Sequence, residues 1–151
     1  MNIVFRKFEE KDRDAFFSMV KKFYAPPAVL HFPSEDVMMS AFDESLKNNG
    51  FVYGYIFEAD GIPTGYSVVS MKFETEVGGL AAWIEELFVE EAYRCNGTGK
   101  RFFEFIKNEF AGKIRRIRLE VGEDNFGAIK LYSTLGFKFL DYRQMTIDKD
   151  F

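Results

Sequence analysis

The sequence predicts an α/β fold: a mixed, twisted sheet of six to seven strands with helices on both faces. Three observations carry this expectation. Apolar residues recur at helical spacing in some segments, other segments alternate or run apolar as strands do, and glycine or proline marks most junctions between them. The predicted order is β-α-α-β-β-β-α-β-α-β. Its central strands pair as an antiparallel meander, and each strand-helix-strand crossover demands a parallel pair.

Ile3 to Phe8 reads as the first strand. Asp12 caps a helix whose Phe16, Met19, Val20 and Phe23 fall on one face, and Ala25-Pro26-Pro27 stops it. Pro33-Ser34 opens a second helix with Glu35 and Asp36 in its first turn, where negative charge suits the dipole. It runs to about Leu46, with Gly50 as its stop. Phe51–Glu58 and Ile62–Phe73 are strands joined through Asp60-Gly61, a hairpin signal. Glu74 to Gly79 is an acidic loop before the strand Leu80–Val89. After Gly97 a helix carries Phe102, Phe103, Ile106 and Phe110 on a core face. Ile114 to Val121 alternates apolar and charged residues, as a half-buried strand does. Asp124 or Asn125 caps a last helix that reaches about Leu135 and ends at Gly136. Phe137 to Ile147 supplies a final strand, bent or split in two.

The chain has 151 residues and no repeat or linker, so residues 1–151 read as one domain. A net charge of −4 argues against nucleic acid as the main partner. Cys95 is the only cysteine, which fits a reducing compartment. The first residues lack a signal-peptide apolar core, and no stretch approaches a membrane span. A cytoplasmic protein is the expectation.

The chemistry concentrates in Arg94-Cys95-Asn96-Gly97-Thr98-Gly99-Lys100, which follows a strand and opens a helix. Its glycines let backbone N–H groups approach an anion, the helix N-terminus adds unpaired donors, and Arg94 adds a charged fork. A P-loop would need Gly at position 94 and Ser or Thr at 101, and both are Arg. A dinucleotide fingerprint would need Gly at position 102, which is Phe. The pattern R-x-x-G-x-G remains. With Trp83–Val89 upstream and Asn125-Phe126-Gly127-Ala128-Ile129-Lys130-Leu131-Tyr132-Ser133-Thr134-Leu135-Gly136-Phe137 downstream, the stretch resembles the GNAT superfamily of N-acetyltransferases. Cys95 and Thr98 depart from the residues most common in that loop, and neither is one of its glycines.

The resemblance implies a GNAT-like fold with acetyl-CoA as acetyl donor. Its fourth and fifth strands splay, and the pantetheine arm pairs with backbone around Leu87, Phe88 and Val89. Arg94 to Lys100 holds the pyrophosphate, and Asn125 adds a side-chain contact. Transfer to an amine needs deprotonation, since only about 0.04% of an ordinary amine is free at pH 7. It also needs a polarised thioester carbonyl and a leaving thiolate that is held or protonated. Glu85 is the candidate base, acting directly or through water, against the reading of a surface carboxylate. Strict alternation puts Glu86 on the opposite face unless a bulge intervenes. Tyr132 is the candidate acid, against the reading of a core tyrosine; it shares a helix face with Asn125 and Ala128. His31 reads as a solvated loop residue, and Trp83 as packing or a substrate wall. Acyl-cysteine chemistry at Cys95 is disfavoured by its place in the phosphate loop.

The predicted function is acetyl transfer to a primary amine in a ternary complex. The acceptor is a small-molecule amine or a protein lysine or N-terminal amine. Glu74, Glu76 and Glu85 favour a cationic one. A homodimer is allowed, and no metal, nucleic acid or membrane is expected. The rival reading is a non-catalytic acyl-CoA sensor.

Overall fold

In the computed structural model, residues 2–25 and 32–148 are described. They form β1 (Ile3–Lys7), α1 (Arg13–Phe23), α2 (Glu35–Leu46), β2 (Val52–Ala59), β3 (Ile62–Glu74), β4 (Gly79–Val89), α3 (Thr98–Glu109), β5 (Ile114–Leu119) and α4 (Phe126–Thr134). His31, expected in a solvated loop, and the Pro26-Pro27 stop lie outside the described residues. Two compact units divide the chain, Met1–Glu120 and Val121–Phe151.

The first unit holds a five-stranded sheet in the order β1-β2-β3-β4-β5. β1 to β4 pair antiparallel, and β4 with β5 is the one parallel pair in that sheet. The Asp60-Gly61 turn has both residues at positive φ, 51° and 82°, which matches the twist of a tight hairpin. Alternation along β2 and β3 sends side chains to two separate cores. On one face Phe16, Met19 and Val20 of α1 and Met38 and Phe42 of α2 pack with Ile56, Tyr66, Val68 and Phe88. On the other, Phe102 of α3 meets Phe57 at 4.8 Å and Phe5 at 5.5 Å. Helices therefore cover both faces, and many of the aromatic rings pack in these cores, while Phe51, Phe73, Phe126 and Phe139 stay exposed. Gly54 is fixed by the first of them, because a Cβ there would lie 2.0 Å from the Phe8 ring.

Three local expectations need correction. The Asp12 carboxylate does not cap α1; it accepts from the Glu9 N–H at 2.8 Å and from both Arg6 Nη atoms at 2.7 and 2.8 Å, closing the 3-10 turn Glu10–Asp12. The stop after α2 comes at Lys47, with Asn48 at φ 49°, before Gly50 is reached. No strand pairing occurs over 138–148, so the described residues carry five strands and not six or seven, and the last expected strand is absent from them. That segment alternates as a strand would, yet a strand exists only through its neighbour's hydrogen bonds.

The second unit is built on α4. The Asn125 side chain caps it by accepting from the Ala128 N–H at 3.2 Å. Gly136, at φ 89°, turns the chain out of the helix, and the Phe137 N–H closes on the Tyr132 carbonyl at 3.0 Å.

Candidate active site

β4 is the axis of the site. Its pairing with β5 runs from Leu80 to Ile84 and ends opposite Leu119. From Glu86 to Val89 it is paired on the β3 side alone. The free edge offers backbone donors and acceptors to an added extended ligand, which is what a pantetheine arm requires. Gly65 keeps this stretch close to β3, since a Cβ there would stand 2.5 Å from the Phe88 carbonyl oxygen.

The edge opens at a β-bulge. Glu86 pairs with Val68 and Ile84 with Val69, which leaves Glu85 as the extra residue. The bulge corrects the expectation that Glu85 and Glu86 face apart. Ser70 donates its hydroxyl to Glu85, Tyr66 donates to Glu86 at 2.8 Å, and Ser70 and Tyr66 share one face of β3. Both glutamates therefore lie on the α1–α2 side of the sheet. Their environments differ sharply. Glu85 is exposed, whereas Glu86 is buried and also accepts from the Tyr24 hydroxyl at 2.5 Å. Burial raises the Glu86 pKa above the usual carboxylate range, the two tyrosine hydrogen bonds oppose the rise, and the neighbouring Glu85 charge adds to it. Tyr24 and Tyr66 are both raised, chiefly by burial and then by the Glu86 carboxylate.

At the other end of the free edge the chain turns through Glu91–Tyr93 into the glycine loop. Gly97 is the N-cap of α3 at φ 75°, with no side-chain cap and nothing within 4 Å of where a Cβ would project. The first helical bond is Arg101 N–H to the Gly97 carbonyl at 3.0 Å, so the N–H groups of Thr98, Gly99 and Lys100 have no partner within the helix. Asn96, Gly97 and Lys100 are exposed there. Cys95 is exposed too, at φ 62°. Thr98 is buried, its hydroxyl turned to the Tyr93 carbonyl at 3.4 Å. Arg94 donates Nε to the Val89 carbonyl at 2.8 Å, which engages one group of the edge and orients the guanidinium. An uncapped helix N-terminus behind a left-handed glycine fits a phosphate. The residues present thus suit a CoA-like ligand, phosphates at α3 and pantetheine along β4.

The acidic loop changes meaning. Glu74 is buried and accepts from Arg116 at 2.6 Å, Arg118 at 3.1 Å and the Trp83 indole N–H at 3.1 Å. Glu76 pairs with Arg116 at 3.1 Å. Burial alone would raise the Glu74 pKa, but the arginine and indole hydrogen bonds outweigh it and hold the carboxyl below its ordinary value. Neither charge is spare for a cationic acceptor. Tyr24, Tyr66 and Ser70 are the residues that sequence reasoning missed here; Tyr66 and Ser70 depend on cross-strand register and Tyr24 on how the end of α1 packs on the sheet, and no local pattern encodes either.

In the second unit Tyr132 packs against Phe137 with ring centroids 5.8 Å apart, and burial raises its pKa. A phenol held this way stays protonated at neutral pH. Among the described residues no group of three or more His, Cys, Asp or Glu is placed to hold a metal, and no helix is long and apolar enough to cross a membrane.

The mixed sheet thus opens at a bulge that leads to an uncapped helix N-terminus. The profile of the Acetyltransferase (GNAT) family matches residues 13–137, and the chain belongs to that family. The spermine/spermidine N(1)-acetyltransferase of Bacillus subtilis (strain 168) is 27% identical over 88 residues, which cover 57% of this chain and 58% of that protein. The match thus spans under two thirds of that relative's length. Among solved structures, a possible acetyltransferase from Clostridium difficile 630 superposes with a TM-score of 0.82 at 18% identity, covering 99% of both chains. An aminoglycoside N-acetyltransferase, AAC(6')-Iy, in complex with CoA superposes with a TM-score of 0.76 at 18% identity, over 99% of this chain and 95% of that one.

Proposed function

We propose that this protein transfers an acetyl group from acetyl-CoA to a primary amine, by direct attack of the amine in a ternary complex. The observation that carries the reading is the bulge at Glu85, where β4 leaves β5 and runs with a free edge to the uncapped start of α3. Support also comes from the family profile, which runs through residue 120 from one compact unit into the other. Both units are read as parts of one acetyltransferase domain.

Bound acetyl-CoA would supply an activated acetyl thioester. The protein's own groups do the rest. Leu87, Phe88 and Val89 hold the arm of the donor, and Arg94 with the Cys95 to Lys100 loop holds its phosphates. Asn125 adds a contact through its amide. Glu85, exposed and steadied by the Ser70 hydroxyl, takes the ammonium proton directly or through water. The freed amine nitrogen bonds to the carbonyl carbon as the C–S bond breaks. The Tyr132 phenol gives its proton to the departing sulfur, and the second proton shed by the new amide nitrogen restores the phenol through solvent. Glu86 stays between its two tyrosines and fixes the bulge.

The test is a pH–rate profile on one amine acceptor. Glu85→Gln should lower kcat by about a hundredfold or more near neutral pH, with partial recovery at high pH, where the amine deprotonates unaided. Glu86→Gln should leave the shape of the profile unchanged. Loss of the acidic limb in Glu86→Gln alone would transfer the base role to Glu86. Tight acetyl-CoA binding without turnover on a broad amine panel would overturn transfer in favour of a sensor.

A further inference from the structure

Trp83 lies two residues before Glu85, and its cross-strand partner is Ser70, whose hydroxyl holds Glu85. The indole is therefore on the acceptor side of the bulge. Two cations stack on it from the strands on either side of β4. Lys72 Nζ is 5.1 Å from the ring centroid, and Arg118 Cζ is 4.4 Å. Arg118 is the β5 partner of Trp83 and stands one pair before the β4–β5 ladder ends. The cations are thus at the mouth of the open edge.

The nearby carboxylates are not shared evenly among these cations. Glu74 and Glu76 engage Arg116 and Arg118, and Glu85 stands at the amine end of the site, so Lys72 is the cation of the cluster that none of these carboxylates pairs with. Lys72 is exposed, and among the described residues no carboxylate pairs with it. A second ammonium on an acceptor would find the indole already taken and like charges beside it, which suppresses such partners. An anionic group there would meet a lysine and an arginine, the pair suited to a carboxylate.

We infer that the acceptor is an amine that also carries a carboxylate, with the amine at Glu85 and the carboxylate held beside Trp83 by Lys72 and Arg118. Along β4 the Trp83 and Glu85 positions are two residues apart, at most roughly 6–7 Å because the bulge shortens the run, within reach of a chain of four or five methylenes. The inference rests on the acetyl-transfer reading and departs from the polyamine named for the Bacillus subtilis relative.

The experiment compares 5-aminopentanoate and 6-aminohexanoate with pentylamine and with spermidine, as acetyl acceptors of the full chain. The ω-amino carboxylates should show kcat/KM at least about tenfold above both other classes. Lys72→Glu should abolish that preference, and Arg118→Gln should reduce it, while the thermal shift produced by acetyl-CoA stays as in wild type. A second readout is independent of turnover: calorimetric binding of 6-aminohexanoate to the CoA-saturated protein should be lost in Lys72→Glu. Faster turnover of spermidine would overturn the acceptor assignment and leave acetyl transfer standing. So would carboxylate binding or preference that is indifferent to Lys72→Glu. Absence of turnover with every amine, alongside carboxylate binding that Lys72→Glu removes, would overturn transfer and leave the anion site standing.

Discussion

Single residues set the local tolerances of the site, and glycines show it most directly. At Gly65 an added Cβ would meet the backbone of Phe88, 2.5 Å away, as well as a Phe57 ring carbon at 2.8 Å. Gly65→Ala should cost about 1–3 kcal/mol of stability, and it should also weaken acetyl-CoA binding because β4 must yield at its free edge. Gly54→Ala meets first the Phe8 ring, away from β4, so it should lose comparable stability with acetyl-CoA affinity intact. Thermal melts with calorimetric titration separate the two, and an unchanged affinity in Gly65→Ala would detach the edge from the cofactor. Glu74 and Glu86 offer a matched pair in pH. Glu74 is held below its ordinary value of 4.5, so its stabilising contribution is present above that value and fades as pH falls through the lower folded value. Glu86 is raised from the same 4.5, so the folded state binds its proton more tightly and stability declines as pH rises through the window just above 4.5. The stability gap between wild type and Glu74→Gln should narrow on acidification, and Glu86→Gln should flatten the decline above 4.5. Chemical denaturation across that range measures both.

Elements decide how much could be read in advance. The Asp60-Gly61 hairpin, the phenylalanine stripe of α3 and the Asn125 cap were legible because each depends on neighbours within a few positions. The bulge was not. Ile84-Glu85-Glu86-Leu87 breaks the apolar–polar alternation with two adjacent carboxylates, but the break does not say which residue is extra, and only the pairing with Val68 and Val69 shows that Glu85 is supernumerary. The same limit hid the Tyr24–Glu86–Tyr66 cluster and the arginines that neutralise Glu74. Over 137–147 the pattern pointed to a strand, and Phe139, Tyr142 and Ile147 instead stand exposed without a pairing partner. At the head of α3 a sharper test is available. Gly97→Asn keeps a residue type that tolerates left-handed backbone, so the protein should fold, while its side chain projects into the space before the helix. Acetyl-CoA affinity should fall about tenfold or more, near 1.4 kcal/mol, in a titration at constant salt. A folded Gly97→Asn with wild-type affinity would remove the phosphates from this loop.

At the scale of the whole molecule, ligand binding must register as stability. Acetyl-CoA at about a hundred times its Kd should add about 2.7 kcal/mol, with ATP adding much less, and a larger response to ATP would overturn the donor assignment. Tyr132→Phe, which removes only the hydroxyl, should keep that thermal response and lower kcat, since the phenol is assigned to the leaving sulfur. A mutant with full turnover would return Tyr132 to packing against Phe137. The indole between Lys72 and Arg118 has one more consequence. Trp83 is the chain's single tryptophan, so the emission excited at the red edge of protein absorbance originates from one point in the molecule. That point carries two stacked cations and a hydrogen bond to a buried carboxylate. Its colour and lifetime are therefore set by the local field at the mouth of the bulge, and occupancy of that mouth can be followed optically without a label.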